Sequence, residues 1–376
     1  MARHDTAWAA GGKFFGLLMV VALGACGGGG GGSGAASTAG AGATTAASAG
    51  AAAGAASGAS SSGAASVASG SAAASSPAAS SPASGTTATV LKLSTAVQNQ
   101  TVAKEAAASG MLSSVGVAGL YMAAARPFLT AALAGAPAAT TNCARGGSIA
   151  TVVSNVGAPG LRAGETASVS FAQCVGQISA PELSAADALG GGVNFAVQSV
   201  QGSVGSRTAN WSYTATETAN ALAIASSDAT TTFNGTVTFT VAYDAATATI
   251  TTTANAPSLT ITRTQTSASS GTTLDGSIAI TSLAWTDIDN VASATESLSA
   301  SCAVSDVVEG VTLAFNVTTP VALTIANGAI TAGTQQLAST DTTETIVAQN
   351  ATTFVLTVTS QGVTGVWTQS ASSLAS

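Results

Sequence analysis

The sequence predicts a mainly β fold: a long, twisted antiparallel meander, partly barrel-like, with an N-terminal helical segment packed on it. Three observations support this prediction. Apolar residues alternate with Thr and Ser from about residue 148 onward, Asn-Gly and Asp-Gly pairs interrupt the alternation, and an Ala-rich apolar stretch precedes it. Because a period of two places one face of each strand in the core, such a sheet needs a layer that covers that face.

The helical segment is predicted over residues 95–134. Its composition favours helix, whereas Gly110 and Pro127 are expected to interrupt it. Residues 111–125 form an apolar run that is shorter than the roughly 20 residues needed to cross a bilayer. We therefore expect a helix buried in the core rather than a membrane span.

Strand alternation is clearest in three segments. Apolar residues recur at every second position in Val237–Tyr243, Ile278–Ile280 and Leu313–Val317. The intervening Thr side chains suit strand geometry and keep the other face polar without charge. These segments predict half-buried antiparallel strands.

Turn residues predict where strands end. Asn234-Gly235, Asp275-Gly276 and Asn327-Gly328 are each predicted to lie in a hairpin or at a strand edge. The last pair also predicts a register, in which Ile325 lies opposite Ile330.

The composition excludes several classes of site. Charged residues make up 7% of the chain, and the single histidine is His4. Since histidine is the commonest metal ligand and general base near neutral pH, we expect no zinc site, Ser-His-Asp triad or Cys-His dyad once the N-terminus is removed. Apart from Arg3 and Lys13, seven of the nine basic residues remain and are scattered, so no nucleic-acid partner is expected.

The first 26 residues predict export with lipid attachment. A weakly basic start is followed by an apolar run over residues 14–23, which is the length of a signal-peptide core. The run ends in Leu23, Gly24, Ala25 and Cys26. This order resembles the lipobox of bacterial lipoproteins, in which cleavage exposes a cysteine that carries acyl chains. An ordinary signal peptide with an incidental cysteine is the alternative.

Acylation at Cys26 would make the membrane the partner of the N-terminus, because several acyl chains give stable anchoring. Gly27 follows the cysteine, where inner-membrane lipoproteins usually have Asp. We therefore expect a lipid-anchored outer-membrane protein, on either the periplasmic or the surface face.

Four regions follow from these patterns. Residues 1–25 are predicted to be the lipoprotein signal peptide, and residues 26–86 the lipidated cysteine with a Gly/Ala/Ser tether. Residues 87–142 form the helical segment, and residues 143–376 the antiparallel β domain. The tether has no large side chain to bury, so it is predicted to be disordered.

Three cysteines lie beyond the lipobox. A hairpin that pairs Ile149 with Ser168 would place Cys143 opposite Cys174, which predicts a disulfide in an oxidising compartment. Cys302 is then expected to be a buried thiol, with an intermolecular bridge as the alternative.

The same hairpin resembles a pattern in uncharacterised proteobacterial lipoproteins. The resemblance rests on residues 143–148, 163–166 and 171–174. In that family the hairpin loop often carries several Asp residues that suit a cation. Residues 155–162 contain no acid here, so a metal site is not expected, and the resemblance implies no established activity.

Candidate catalytic residues are sparse. Neither a Gly-x-Ser-x-Gly elbow nor a Ser three residues before a Lys is present. Asp287 and Asp289 form the densest acidic cluster, which could serve carboxylate hydrolysis or a hard cation. As alternate residues at a strand end they are instead interpreted as part of a solvated loop. Four aromatic residues are expected in the core rather than in a ligand groove: Trp211, Tyr213, Trp285 and Trp367.

The sequence therefore predicts a membrane-anchored lipoprotein without cofactor that is not an enzyme. Its expected role is envelope binding or scaffolding. The alternatives are a surface-exposed adhesion or interaction module, or a carrier of an apolar ligand.

Overall fold

The computed structural model describes residues 89–180, 183–266, 273–291, 293, 295–308, 310–326 and 329–374. The predicted signal peptide, lipobox and tether lie outside these residues. Within the described part, the chain forms one antiparallel sheet with an N-terminal helix packed on it, as the sequence predicted.

Fourteen described strands follow one another in chain order across the sheet, which is open rather than closed. The sheet begins at Ala139, inside the region assigned above to the helical segment. The strands are β2 Ala139–Asn142, β3 Ser148–Val153, β4 Thr166–Val175, β5 Ala188–Gln201, β6 Trp211–Ala225, β7 Ala229–Asp244, β8 Thr249–Thr266, β9 Thr273–Asn290, β10 Thr295–Val308, β11 Val311–Ala326, β12 Ala329–Ala338, β13 Thr342–Asn350, β14 Thr353–Ser360 and β15 Val363–Ser370. The short strand β1, Thr89–Val90, pairs in parallel with β11.

The helical elements lie at both ends of the described chain. They are a 3-10 turn at Leu93–Val97, helix α1 at Gln100–Met111, a π-helical turn at Leu112–Gly116, helix α2 at Val117–Ala134 and the short helix α3 at Ala371–Leu374. Asn99 caps the start of α1, because its side-chain oxygen accepts hydrogen bonds from the Thr101 and Val102 amides. Gly135 ends α2 in the left-handed conformation that is common at helix C-termini.

The prediction that Gly110 and Pro127 interrupt the helix was wrong. Helical structure runs without a gap from Gln100 to Ala134, with Pro127 inside α2. A proline costs about 3 kcal/mol in a helix interior, but the buried face of this helix gains more through its packing on the sheet. Gly110 lies against β12, where an added Cβ would come within 2.6 Å of the Leu337 Cδ2 atom.

The helix covers the inner face of the sheet, defined here as the face that carries the buried strand residues. Phe128 stacks on Phe195 of β5 with ring centroids 5.0 Å apart. The Tyr121 hydroxyl donates a hydrogen bond of 3.2 Å to the Gly235 carbonyl of β7. Gln100–Ala134 is long and apolar enough to cross a membrane by length and composition. Its contacts with the sheet agree with the predicted core helix.

The outer face is rich in threonine, as the alternation predicted. Thr218 and Thr236 form a cross-strand hydroxyl hydrogen bond of 2.9 Å, and Thr214 and Thr240 form one of 3.1 Å. Such pairs stabilise an exposed sheet face without charge.

Two of the predicted turns are not turns. Gly235 lies inside β7, at a register shift against both neighbouring strands, and Gly276 lies inside β9. At Gly235 the strand continues because a β-bulge interrupts the alternation without ending the strand. At Gly276 the strand continues without a shift in register against either neighbour. The Asn327-Gly328 prediction concerns residues outside the described part, but the flanking pair Ile325–Ile330 is present as predicted.

Bulges occur in the middle of many strands. Residues with positive φ mark them at Gln173, Gly191, Ala221, Gly235 and Ser282, and each lies beside a shift in strand register. Bulges increase the local twist and bend of a strand. Their recurrence across neighbouring strands bends the sheet around the helix.

The predicted disulfide is present, but the predicted register was wrong. Ile149 pairs with Phe171 rather than Ser168, a difference of three residues. Cys143 lies in the turn between β2 and β3, and Cys174 follows the bulge at Gln173. The extra residues of the turn and the bulge bring the two cysteines together despite the different pairing.

Candidate functional site

Three carboxyl side chains meet on the inner face where β9 and β10 join, and they are referred to below as the carboxyl cluster: Asp287, Asp289 and Glu296. Asp289 is paired directly with Glu296 across the two strands, and Asp287 is paired with Leu298. Side chains at directly opposed positions have Cβ atoms about 4.5–5.5 Å apart. Strand register alone therefore brings the three acids together.

The carboxyl cluster is buried. Asp287 is 3% exposed, Asp289 5% and Glu296 6%, whereas Ile288 between the two aspartates is 42% exposed on the outer face. At this end of β9 the acidic side chains face the core and the apolar Ile288 faces outward, which is the reverse of the usual order along the strand. A shift of one residue would bury Ile288 and expose both aspartates, so the bulge that sets the register decides this arrangement.

Two members of the cluster share a hydrogen bond. The Asp287 and Glu296 side chains are hydrogen-bonded to each other, which requires a proton between the two carboxyl groups. Oδ1 of Asp287 and Oε1 of Glu296 are buried atoms that make no hydrogen bond within the described part of the chain.

Burial sets the electrostatics of the cluster. Loss of hydration raises the pKa of Asp289 to about 6. Burial also raises the pKa of Asp287, and the charge of Asp289 raises it further. For Glu296, burial raises the pKa most, followed by the charge of Asp287. The group therefore retains protons at pH values where an exposed carboxyl has lost them.

The cross-strand neighbours of the cluster on β8 and β11 are uncharged. Across β8, Thr252 lies opposite Asp287 and Ile250 lies opposite Asp289. Across β11, Ile325 lies opposite Glu296. Among the residues that the structure describes, no group of three or more His, Cys, Asp or Glu side chains is arranged to hold a metal ion.

The interpretation of Asp287 and Asp289 as part of a solvated loop was wrong. Both have the same parity as Leu283 and Trp285, which are buried, and this parity was the available indication that they face inward. Glu296 is the member of the cluster that the sequence did not predict, although a hairpin that joins Asn290 to Thr295 places it opposite Asp289.

The four predicted core aromatics are mostly buried. Trp211 stacks with Tyr213 and Tyr243, with centroid distances of 6.4 and 5.8 Å. Trp285 is 1% exposed, two residues before Asp287, and Trp367 is partly buried against the core. Tyr243 lies opposite Ile250, which in turn lies opposite Asp289. The rings therefore lie at one end of the row of directly paired residues that crosses the sheet through the carboxyl cluster.

Two further carboxyls are buried singly. Glu217 on β6 and Glu344 on β13 are both fully buried, and neither oxygen of either residue makes a hydrogen bond to the described part of the protein. Burial raises the pKa of Glu344 to about 8 and raises that of Glu217 well above its usual range. Burial without a partner favours the neutral acid at these positions.

The loop between β3 and β4 contacts the helix. The amides of Gly157 and Gly160 donate hydrogen bonds to the carbonyls of Gly135 and Leu133. This loop therefore caps carbonyl groups at the end of α2.

The remaining predicted residues divide into two groups. Cys143 and Cys174 form a disulfide with Cα atoms 5.4 Å apart, and Cys302 is a buried free thiol. The lipobox residues Leu23, Gly24 and Ala25, together with Cys26, lie outside the described residues.

Comparison with protein-family models, curated proteins and solved structures found no match for this chain.

Proposed function

We propose that this chain is an exported lipoprotein of the bacterial outer membrane, anchored through acyl chains on Cys26. The observation that carries the proposal is the order of a basic start, an apolar run and the residues Leu23 to Cys26. The Cys143–Cys174 disulfide adds support, because such bonds persist in oxidising compartments and are rare in the cytosol.

We infer that the anchored domain has a non-catalytic role, as an envelope binding or scaffold protein. The acids that could serve hydrolysis are buried among Ile250, Thr252 and Ile325 rather than placed at an open surface. The inner face, where a carrier would hold an apolar ligand, is where the helix packs. The outer face and the sheet edges are therefore the favoured surfaces for partners.

Lipid attachment is tested by metabolic labelling with palmitate. The wild-type chain should incorporate the label and remain with the outer membrane on fractionation, and Cys26→Ser should abolish both. Cys302→Ser is the matched control, because it removes a different cysteine that makes no disulfide. Retention of residues 1–25 in the membrane-bound wild-type protein would refute the proposal.

The non-catalytic role is tested in intact cells. If the domain binds or scaffolds, cross-linking should recover the same envelope partner with the wild type and with Asp287→Asn. The partner should be lost when lipid attachment is blocked by Cys26→Ser. A hydrolytic activity of the purified chain that disappears with Asp287→Asn would contradict this role.

A further inference from the structure

We propose that the carboxyl cluster is a proton-operated switch in the sheet. While the cluster retains its protons, the end of the sheet formed by β8, β9 and β10 stays packed, and when the protons are lost that end opens locally. This inference goes beyond the anchoring and binding roles proposed above and does not depend on them.

The position of the cluster makes local opening possible. Asp289 and Glu296 form the second pair from the β9–β10 connection, beyond only the pair Asn290–Thr295. Asp287 lies two pairs further in, opposite Leu298, so separation of the four pairs from Asn290–Thr295 to Asp287–Leu298 exposes the whole cluster to water while the remaining pairs of β9 and β10 stay formed. Opening at the end of a strand pair requires far less free energy than global unfolding.

The side chains around the cluster determine which protonation state favours the packed sheet. On the inner face, the cluster is flanked by Ile250 and Thr252 of β8, by Leu298 of β10 and by Leu323 and Ile325 of β11. The acids that act on Asp287 and Glu296 are the other members of the cluster. In the same row, the next titratable side chain is Tyr243, which lies beyond Ile250.

Deprotonation therefore adds negative charges beside Ile250, Thr252 and Ile325, which carry no charge to offset them. Loss of the proton between Asp287 and Glu296 removes their hydrogen bond and places two carboxylates side by side. Both effects disfavour the packed state and do not affect the open state, where water solvates the charges. Each proton lost on opening increases the opening equilibrium constant about tenfold per pH unit.

The test is amide hydrogen exchange of the full chain, purified in detergent, at pH values from 5 to 9. Rates are corrected for the intrinsic pH dependence of exchange. Protection of peptides that contain Trp285–Asn290 should fall at least about tenfold more than protection of peptides from β4. Equal loss in both regions, or no loss at Trp285–Asn290, would overturn the proposal.

Amide variants separate protonation from other causes. Asp287→Asn with Glu296→Gln keeps the hydrogen-bonding shape and leaves only Asp289, with a pKa of about 6, to titrate. Above that pH, protection of Trp285–Asn290 should become nearly independent of pH. Glu344→Gln is the control, because it removes a buried carboxyl on β13 and should leave the pH dependence at Trp285–Asn290 unchanged. If the double variant does not fold, Asp287→Asn alone should reduce the pH dependence. A pH dependence as steep as that of the wild type in whichever of these variants folds would refute the switch.

Discussion

Cys143 and Cys174 are joined by a disulfide across a strand register that does not pair them. Their Cα atoms are 5.4 Å apart and they are 31 residues apart in sequence. One lies in the turn before β3 and the other follows the bulge at Gln173 in β4. The bond therefore links a turn to a bulge, at the edge of the sheet where β2 is the terminal described strand.

Removal of this disulfide should destabilise the fold. Closure of a 31-residue loop restricts the unfolded chain by about 3–4 kcal/mol in the entropic model. We expect Cys143→Ser with Cys174→Ser to lower the free energy of unfolding in guanidinium by about that amount. Cys302→Ala should have a smaller effect. An unchanged unfolding midpoint in the double variant would contradict the prediction.

The bulge at Gly191 should not tolerate a side chain. Its φ is 76°, and an added Cβ would overlap the Ala221 carbonyl oxygen. Conformational strain and overpacking together should lower the free energy of unfolding of Gly191→Ala by about 3 kcal/mol.

Gly276→Ala is the matched control for that substitution. Gly276 also lies inside a strand, but its φ is not positive and an added Cβ would meet the Val307 carbonyl oxygen at 3.4 Å, an ordinary contact. Its stability should change by less than about 1 kcal/mol. Equal effects of the two substitutions would show that the bulge does not require glycine.

A buried hydrogen-bond chain should stabilise the contact between the helix and β12. The Ser114 hydroxyl donates to the Gly110 carbonyl at 2.7 Å and accepts from the buried Gln335 amide nitrogen at 2.6 Å. Ser114→Ala should cost about 1–3 kcal/mol, because it leaves the Gln335 amide without this partner. The measurement is chemical denaturation.

Thr130→Ala provides the comparison on the same helix. The Thr130 hydroxyl makes the same type of bond, to the Arg126 carbonyl at 3.0 Å, but on the exposed side. Its removal should change stability by less than about 0.5 kcal/mol. In addition, Gln335→Leu should recover part of the loss in Ser114→Ala. A larger effect at Thr130 than at Ser114 would argue against the buried chain.

Glu344 should make the protein less stable as the pH rises. Its folded pKa is raised to about 8 by burial, above the ordinary value of 4.5. Over this range the folded state therefore binds a proton that the unfolded state releases. The stability that this proton contributes is fully present below about pH 4.5 and is lost as the pH rises to about 8.

Glu344→Gln removes that titration. Between pH 5 and 8 we expect the loss of stability per pH unit to be smaller in the variant by about one proton equivalent, as measured by denaturation at each pH. Thr345→Gln, on the opposite face of the same strand, should leave the slope unchanged. A slope identical to that of the wild type in Glu344→Gln would show that this carboxyl does not titrate with folding.

The sequence by itself determined which residues face the core in Val237–Tyr243 and Leu313–Val317, that a helix precedes the sheet, and that Ile325 pairs with Ile330. These features depend on alternation and on turn residues, which are local properties. The prediction that Cys143 and Cys174 pair was also correct, although it used the wrong register.

Only the tertiary structure decided the rest. Helix α2 continues through Pro127 because its packing on the sheet outweighs a local penalty, and β7 continues through Gly235 because the neighbouring strands accommodate a bulge. Asp287 and Asp289 face the core because the bulge at Ser282, where β9 shifts against β10, changes which residues of β9 point inward. Such outcomes depend on contacts between residues far apart in the chain, whose combined free energy exceeds the roughly 1 kcal/mol preferences of single residues.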